Sequence, residues 1–142
     1  MAYSADIEAA KALAAKAHAG QTDKAGLPYI THPERVAARL DNPEAKVVGW
    51  LHDTVEDTPL TLRDIEDSFG PETAAAVDAI SRRPDEAWPE YLNRVAANPV
   101  ARQVKISDLI DNSNLQRIPR VTMTDVRRQA KYNKALEMLM RE

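Results

Sequence analysis

The apolar residues of this 142-residue chain recur at helical spacing from one end to the other, and no segment alternates with the period of two that a half-buried strand requires. That property confines the chain to helical folds. Its composition points the same way. Hydrophobic residues make up 44%, but many are Ala and aromatics are only 5%, which suits closely packed helices better than a β-sandwich. Ser4 is a candidate cap for a helix over 4–19, with Ile7, Ala10, Ala14, Ala17 and His18 on or near one face. Residues 20–32, rich in Gly and polar groups and containing Pro28, form a loop. A short helix follows from Pro33 to about Leu40, and another from Pro43 to about Thr54. The Asn42-Pro43 and Asn98-Pro99 pairs are helix starts, with Asn capping free amides and Pro at the first helical position. Thr61 and Asp64 have capping-box spacing, Gly70 ends that helix, and Pro71 opens the next through Ile80. After a turn region at 81–88 come helices over 89–97, 99–113 and 124–140. The last carries Tyr132, Leu136 and Leu139 in one stripe, and Trp88 and the Met138-Leu139-Met140 run are read as core or interface, with core favoured. The expectation is an all-α helical bundle, one domain across 1–142.

Charge and cysteine usage narrow the function. Nineteen Lys plus Arg oppose 22 Asp plus Glu, for a net charge of −3. Without a basic block, a nucleic-acid polymer is a poor partner, because neutralising phosphates needs clustered cations. The absence of Cys excludes a disulfide framework, a thiolate zinc site and a cysteine nucleophile. No apolar run approaches a membrane span, and the opening MAYSADIEAA lacks a signal-peptide core, so a cytoplasmic address is the default. Oligomeric state is left open, with a homo-oligomer among the alternatives.

The only histidines are His18, His32 and His52, all within the first 52 residues. The densest polar feature is LHDTVEDT at 51–58, where His52 and Asp53 are followed by Glu56 and Asp57. On a helix, Glu56 shares a face with His52 and Asp57 with Asp53. Crowded carboxylates repel one another. Either the segment is a solvated helix end, or a divalent cation relieves the conflict. Imidazole and carboxylate donors without thiolate suit Mn²⁺, Fe²⁺, Zn²⁺ or Mg²⁺. In VKISDLIDN at 104–112, Lys105, Asp108 and Asn112 form a polar stripe at i, i+3, i+7. That stripe is either an exposed face or the wall of a polar pocket. His32 precedes Pro33 at a helix edge, where the proline restricts its backbone. Taken alone, His32 is a cap or surface residue and His18 a packing residue bonded to a carbonyl. Arg35 and Arg39, one turn apart after His32, either face the pocket mouth or form a solvated helix face, the latter being the favoured reading. Together, His32, the His52-Asp53 doublet and Asp108 make two imidazoles and two carboxylates from three segments, a set open enough to keep water on a metal.

HAGQ at 18–21, GLPYITHP at 26–33, LHDTVEDT at 51–58, Phe69-Gly70 and VKISDLIDN at 104–112 occur in an order that resembles the HD phosphohydrolase superfamily. The closer resemblance is to the hydrolase domain of RelA/SpoT enzymes and their small stand-alone relatives. It implies a helical HD-type bundle with His32, His52, Asp53 and Asp108 as ligands, usually of Mn²⁺. It also implies Glu56 and Asp57 as the acidic pair that positions and activates water. Lys24, Lys105 and Asn112 would lie near nucleotide or phosphate. The implied activity is removal of the 3′-pyrophosphate from the guanosine alarmones (p)ppGpp. The alternatives are a phosphatase acting on another nucleotide such as NADPH, and a non-catalytic sensor of nucleotide and metal. The chain departs from the pattern at Asp23, where the long enzymes usually carry Arg, and at Leu109 and Asp111, where they usually carry Arg and His.

Overall fold

A computed structural model describes residues 2–115 and 118–141, with side chains from residue 6 onward. Among the described residues there are nine α-helices and no sheet; the only β-type pairing is an isolated bridge between Thr22 and Pro28. The helices are α1 (Ala2–Ala17), α2 (Thr31–Ala38), α3 (Pro43–Leu51), α4 (Thr54–Asp57), α5 (Leu62–Phe69), α6 (Pro71–Ile80), α7 (Trp88–Ala96), α8 (Pro99–Asn112) and α9 (Met123–Met140). No described helix is long and apolar enough to cross a membrane.

The sequence punctuation acts as expected at most starts. The Asn42 side chain accepts from the Ala45 amide at 2.8 Å, and Asn98 accepts from the Val100 and Ala101 amides. Each satisfies donors that the first helical turn cannot pair internally. Thr61 and Asp64 form a full capping box, and Thr122 with Asp125 forms a second at the start of α9. Gly70 joins α5 to α6 at φ +94°, a conformation that a side chain disfavours.

Several boundaries differ from the sequence reading. The first helix begins at Ala2, which places Ser4 inside it rather than at its cap. The second helix starts at Thr31 and takes in His32. The expected helix 43–54 breaks at His52-Asp53. There His52 Nδ1 bonds the Gly49 carbonyl at 2.7 Å and Thr54 Oγ1 donates to the Leu51 carbonyl at 2.8 Å. Side chains thus occupy carbonyls near the helix end and compete with its continuation. At the other end of the chain Leu139 is buried, Trp88 and Met138 are half-buried, and Met140 is exposed.

The third helix is the centre of the bundle. It packs against α1, α2, α6 and α8, burying Val47, Val48, Trp50 and Leu51. Small residues set the spacing. A Cβ on Gly49 would stand 3.2 Å from the Ala37 Cα and 3.1 Å from Leu40 Cδ1, so glycine is what lets α3 close on α2. That approach brings the start of α2 beside the end of α3. The rings of His32 and His52 meet there edge-on, their centroids 5.2 Å apart.

Candidate metal centre

Two helices and one helix break converge on a buried cluster. His32 enters from the first turn of α2, His52 and Asp53 from the break between α3 and α4, and Asp108 from the middle of α8. One potential ligand atom from each of the four lies within 4.8 Å of every other. His32 Nε2 is 2.9 Å from Asp108 Oδ1 and 3.6 Å from Asp53 Oδ2. His52 Nε2 is 3.3 Å and 3.1 Å from the same two oxygens. Both Nε2 atoms therefore face the carboxylates, while both Nδ1 atoms are held from behind. His52 Nδ1 donates to the Gly49 carbonyl, and His32 Nδ1 lies 2.7 Å from Asp111 Oδ2. A proton fixed on Nδ1 leaves the Nε2 lone pair for a cation, the arrangement that supporting groups impose on metal-ligating histidines. Two imidazole nitrogens and two carboxylate oxygens directed at one small volume fit a divalent cation with positions to spare.

The electrostatics fit as well. Burial pulls the imidazole of His32 down, but hydrogen bonds to Asp108 and Asp111 reverse this and raise it above its ordinary value. Burial likewise opposes charge on His52, and Asp53 and Asp108 override it strongly. Against the cost of burial, His52 holds Asp53 down to about 2. Lys105 and the two histidines hold Asp108 well below the carboxylate range. Positive charge is what this cluster of carboxylates stabilises.

The other expected site residues divide. Lys105, Asp108 and Asn112 do form one stripe, and its members bond one another. Lys105 Nζ donates to Asp108 Oδ2 at 2.8 Å, and Asn112 Nδ2 to Asp108 Oδ1 at 3.0 Å. Lys105 also stands 5.2 Å from the Tyr91 ring centroid. Glu56 and Asp57 are exposed and turn to different neighbours. Glu56 accepts from the Arg82 amide, whereas the Asp57 carbonyl accepts from Gln21, whose side chain bonds His18. Desolvation, followed for Asp57 by the charge of Asp53, raises both carboxyls above their ordinary values. Lys24 is outside the cluster and pairs with the buried Asp125 at 3.0 Å. It lines a cavity of about 320 Å³ with Tyr29, His32, Arg35, Asn112, Arg128 and Tyr132. Asp23 also lines it, but its Oδ1 accepts from the amides of Ala25 and Leu27 and so shapes its own loop.

Several contributors were not assigned roles from sequence. Tyr29, inside the GLPYITHP segment, donates its hydroxyl to Asp53 Oδ2 at 2.5 Å. Arg35 and Arg39 are not a merely solvated face: both bond Asp111, which is fully buried. Their one-turn spacing was the available signal, but their partner lies more than 70 residues away. His18 is buried as expected, and its Nδ1 faces the side-chain carbonyl oxygen of Gln21, Oε1, at 2.9 Å.

A helical bundle with a His-Asp doublet, a second histidine and a distant aspartate around one small volume defines the class. The family model described as HD domain matches residues 10–127, and the chain belongs to that family. Over 75 residues, 49% of its length, it is 44% identical to the bifunctional (p)ppGpp synthase/hydrolase SpoT of Escherichia coli (strain K12). It is 30% identical over 122 residues, 78% of its length, to the guanosine-3′,5′-bis(diphosphate) 3′-pyrophosphohydrolase of Aquifex aeolicus. A GTP pyrophosphokinase of Streptomyces coelicolor is 32% identical over 146 residues, 94% of the chain. These alignments cover 10%, 18% and 16% of the respective relatives, so the chain matches only a small part of each. Its fold is similar to the solved structure of a metazoan orthologue of SpoT described as hydrolysing ppGpp. The TM-score is 0.81 at 24% identity, over 96% of this chain and 86% of the other.

Proposed function

We propose that the protein is a metal-dependent phosphohydrolase that removes the 3′-pyrophosphate from guanosine alarmones, (p)ppGpp, in the cytoplasm, with Mn²⁺ as its cation. The observation that carries this reading is the convergence of His32, His52, Asp53 and Asp108, with each histidine's outer nitrogen already engaged. Those four residues would hold the cation. Bound there, it supplies Lewis acidity towards a phosphoryl oxygen and a nearby water. The relatives' names for the same hydrolysis support the substrate class.

The rest of the chemistry belongs to the chain's own groups. Water adds at phosphorus, the bond to the ribose 3′ oxygen breaks, and that oxygen takes a proton as pyrophosphate leaves. Glu56 and Asp57 orient the water and accept its proton. Their raised carboxyls are stronger bases than ordinary ones, and positioned proton transfer contributes roughly 10²–10⁴-fold. Lys105, kept charged against its burial by Asp108, offsets negative charge on the phosphate. Asn112 and Lys24 contact the nucleotide where its body enters the cavity beside His32.

A second reading is hydrolysis of another nucleotide phosphate, such as that of NADPH. It is favoured by Asp23, a carboxylate on the cavity wall where the long enzymes usually place Arg. Release of phosphate and pyrophosphate from ppGpp, pppGpp, NADPH and common nucleotides, with Mn²⁺ present, tests both. Pyrophosphate from ppGpp and pppGpp is the expected result. Turnover of NADPH alone would favour the second reading, and no turnover of any bound nucleotide would make the protein a sensor.

A further inference from the structure

The helix α8 presents one carboxylate to each nitrogen of His32: Asp108 to Nε2 at 2.9 Å, and Asp111, one turn on, to Nδ1 at 2.7 Å. Asp108 belongs to the cation cluster; Asp111 does not. Its side chain is wholly buried, and both its oxygens are committed. Oδ1 accepts from Arg35 Nε at 2.8 Å and Arg39 Nη1 at 3.2 Å, while Oδ2 faces His32 Nδ1 and accepts from Arg35 Nη2 at 3.1 Å.

A buried carboxylate beside a ligand histidine creates two difficulties. It is costly to leave uncompensated, and an unsecured one could compete for the cation. Two guanidiniums, from Arg35 on α2 and from Arg39 at its C-cap, resolve both. They compensate the charge, and the paired contacts of Arg35 fix the plane of the carboxylate. His32 and Arg35 of α2, with Arg39 at its C-cap, thus form one face closed against a single side chain of α8. We propose that Asp111, clamped by Arg35 and Arg39, is the positioning residue that aims His32 Nε2 into the cation cluster, and that this trio takes the place of the imidazole usual at that position. Leu109, where the pattern usually has Arg, is fully buried in the core. The guanidiniums that hold Asp111 come from α2 and its C-cap. The inference rests on the reading that the cluster binds a divalent cation.

The test measures Mn²⁺ affinity by electron paramagnetic resonance of the free ion, alongside thermal midpoints in chelator. Asp111→Ala should weaken Mn²⁺ binding by roughly 10–100-fold, the usual cost of losing such a supporting group. Asp111→Asn, which keeps an acceptor but not the charge, should fall between Asp111→Ala and wild type. Ser107→Ala is the structural control, because the Ser107 hydroxyl fastens α8 to α2 through the Val36 carbonyl at 2.8 Å rather than bonding His32. It should lower the thermal midpoint and leave Mn²⁺ affinity unchanged. If Asp111→Ala does not fold, Arg35→Gln with Arg39→Gln removes the clamp from the half-exposed side and should still weaken Mn²⁺. Wild-type affinity in both Asp111→Asn and the double arginine variant would overturn the proposal. It would leave the cation reading standing, provided His52→Ala abolishes binding. Wild-type protein that binds no Mn²⁺ would remove both.

Discussion

Tyr29 donates its hydroxyl hydrogen to Asp53 Oδ2, the oxygen that also lies 3.1 Å from His52 Nε2. The loop before α2 is thereby tied to the break after α3 at the cluster itself. Its ring stands between His18 and His32, with centroids 4.9 Å and 5.7 Å away. Tyr29→Phe keeps the ring contacts and removes the hydrogen bond. Bonds of this kind to charged groups contribute about 1.5–3 kcal/mol. Urea unfolding in chelator should show a loss of that size, and unchanged stability would contradict the assignment.

Gly49→Ala tests the close packing that brings the two histidines together. The new methyl would have to displace the Ala37 backbone or Leu40. Overpacking of this kind costs about 1–3 kcal/mol. The variant should lose stability and also bind Mn²⁺ more weakly, because α2 and α3 carry His32 and His52. Weaker stability with wild-type Mn²⁺ affinity would show that the cluster does not depend on this approach.

The order of helices was legible because its signals are local. Asn42, Asn98, Thr61 and Gly70 each act within a few residues, and each marks a helix end as expected. The stripe of Lys105, Asp108 and Asn112 was legible for the same reason. What escaped was set by distant partners. Nothing near Arg35 announces Asp111, and Tyr29 gains its role only when Asp53 arrives from the far end of α3. The break at His52 was hidden because side-chain bonds to the Gly49 and Leu51 carbonyls ended a helix that the apolar pattern continued.

The charge balance predicts opposite pH trends with and without metal. In the metal-free protein His32 and His52 are raised, against burial, by the surrounding carboxylates. A raised imidazole contributes stability below its unfolded value of about 6.5 and loses it as pH climbs through the folded value. Asp53, lowered to about 2, contributes above the unfolded value and loses it as pH falls towards 2. The cluster's contribution should therefore peak between about pH 4 and 6.5. Cation binding needs neutral imidazoles, so Mn²⁺ affinity should increase with pH and loading should release protons. Thermal melts in chelator and in Mn²⁺ across that range, with a proton count on loading, check both trends. Loading without proton release would contradict them.

Glu56→Gln separates binding from turnover. The side chain touches the Arg82 amide and none of the four cluster residues by hydrogen bond. Mn²⁺ affinity should stay at the wild-type level while kcat falls by about 10²–10⁴-fold. Near-normal turnover would reject its part in proton transfer.

Anomalous scattering from crystals soaked in manganese examines the cluster itself. One peak per chain is expected, within bonding distance of His32 Nε2, His52 Nε2 and carboxylate oxygens of Asp53 and Asp108. No peak among these four side chains, or a peak held by other residues, would contradict it.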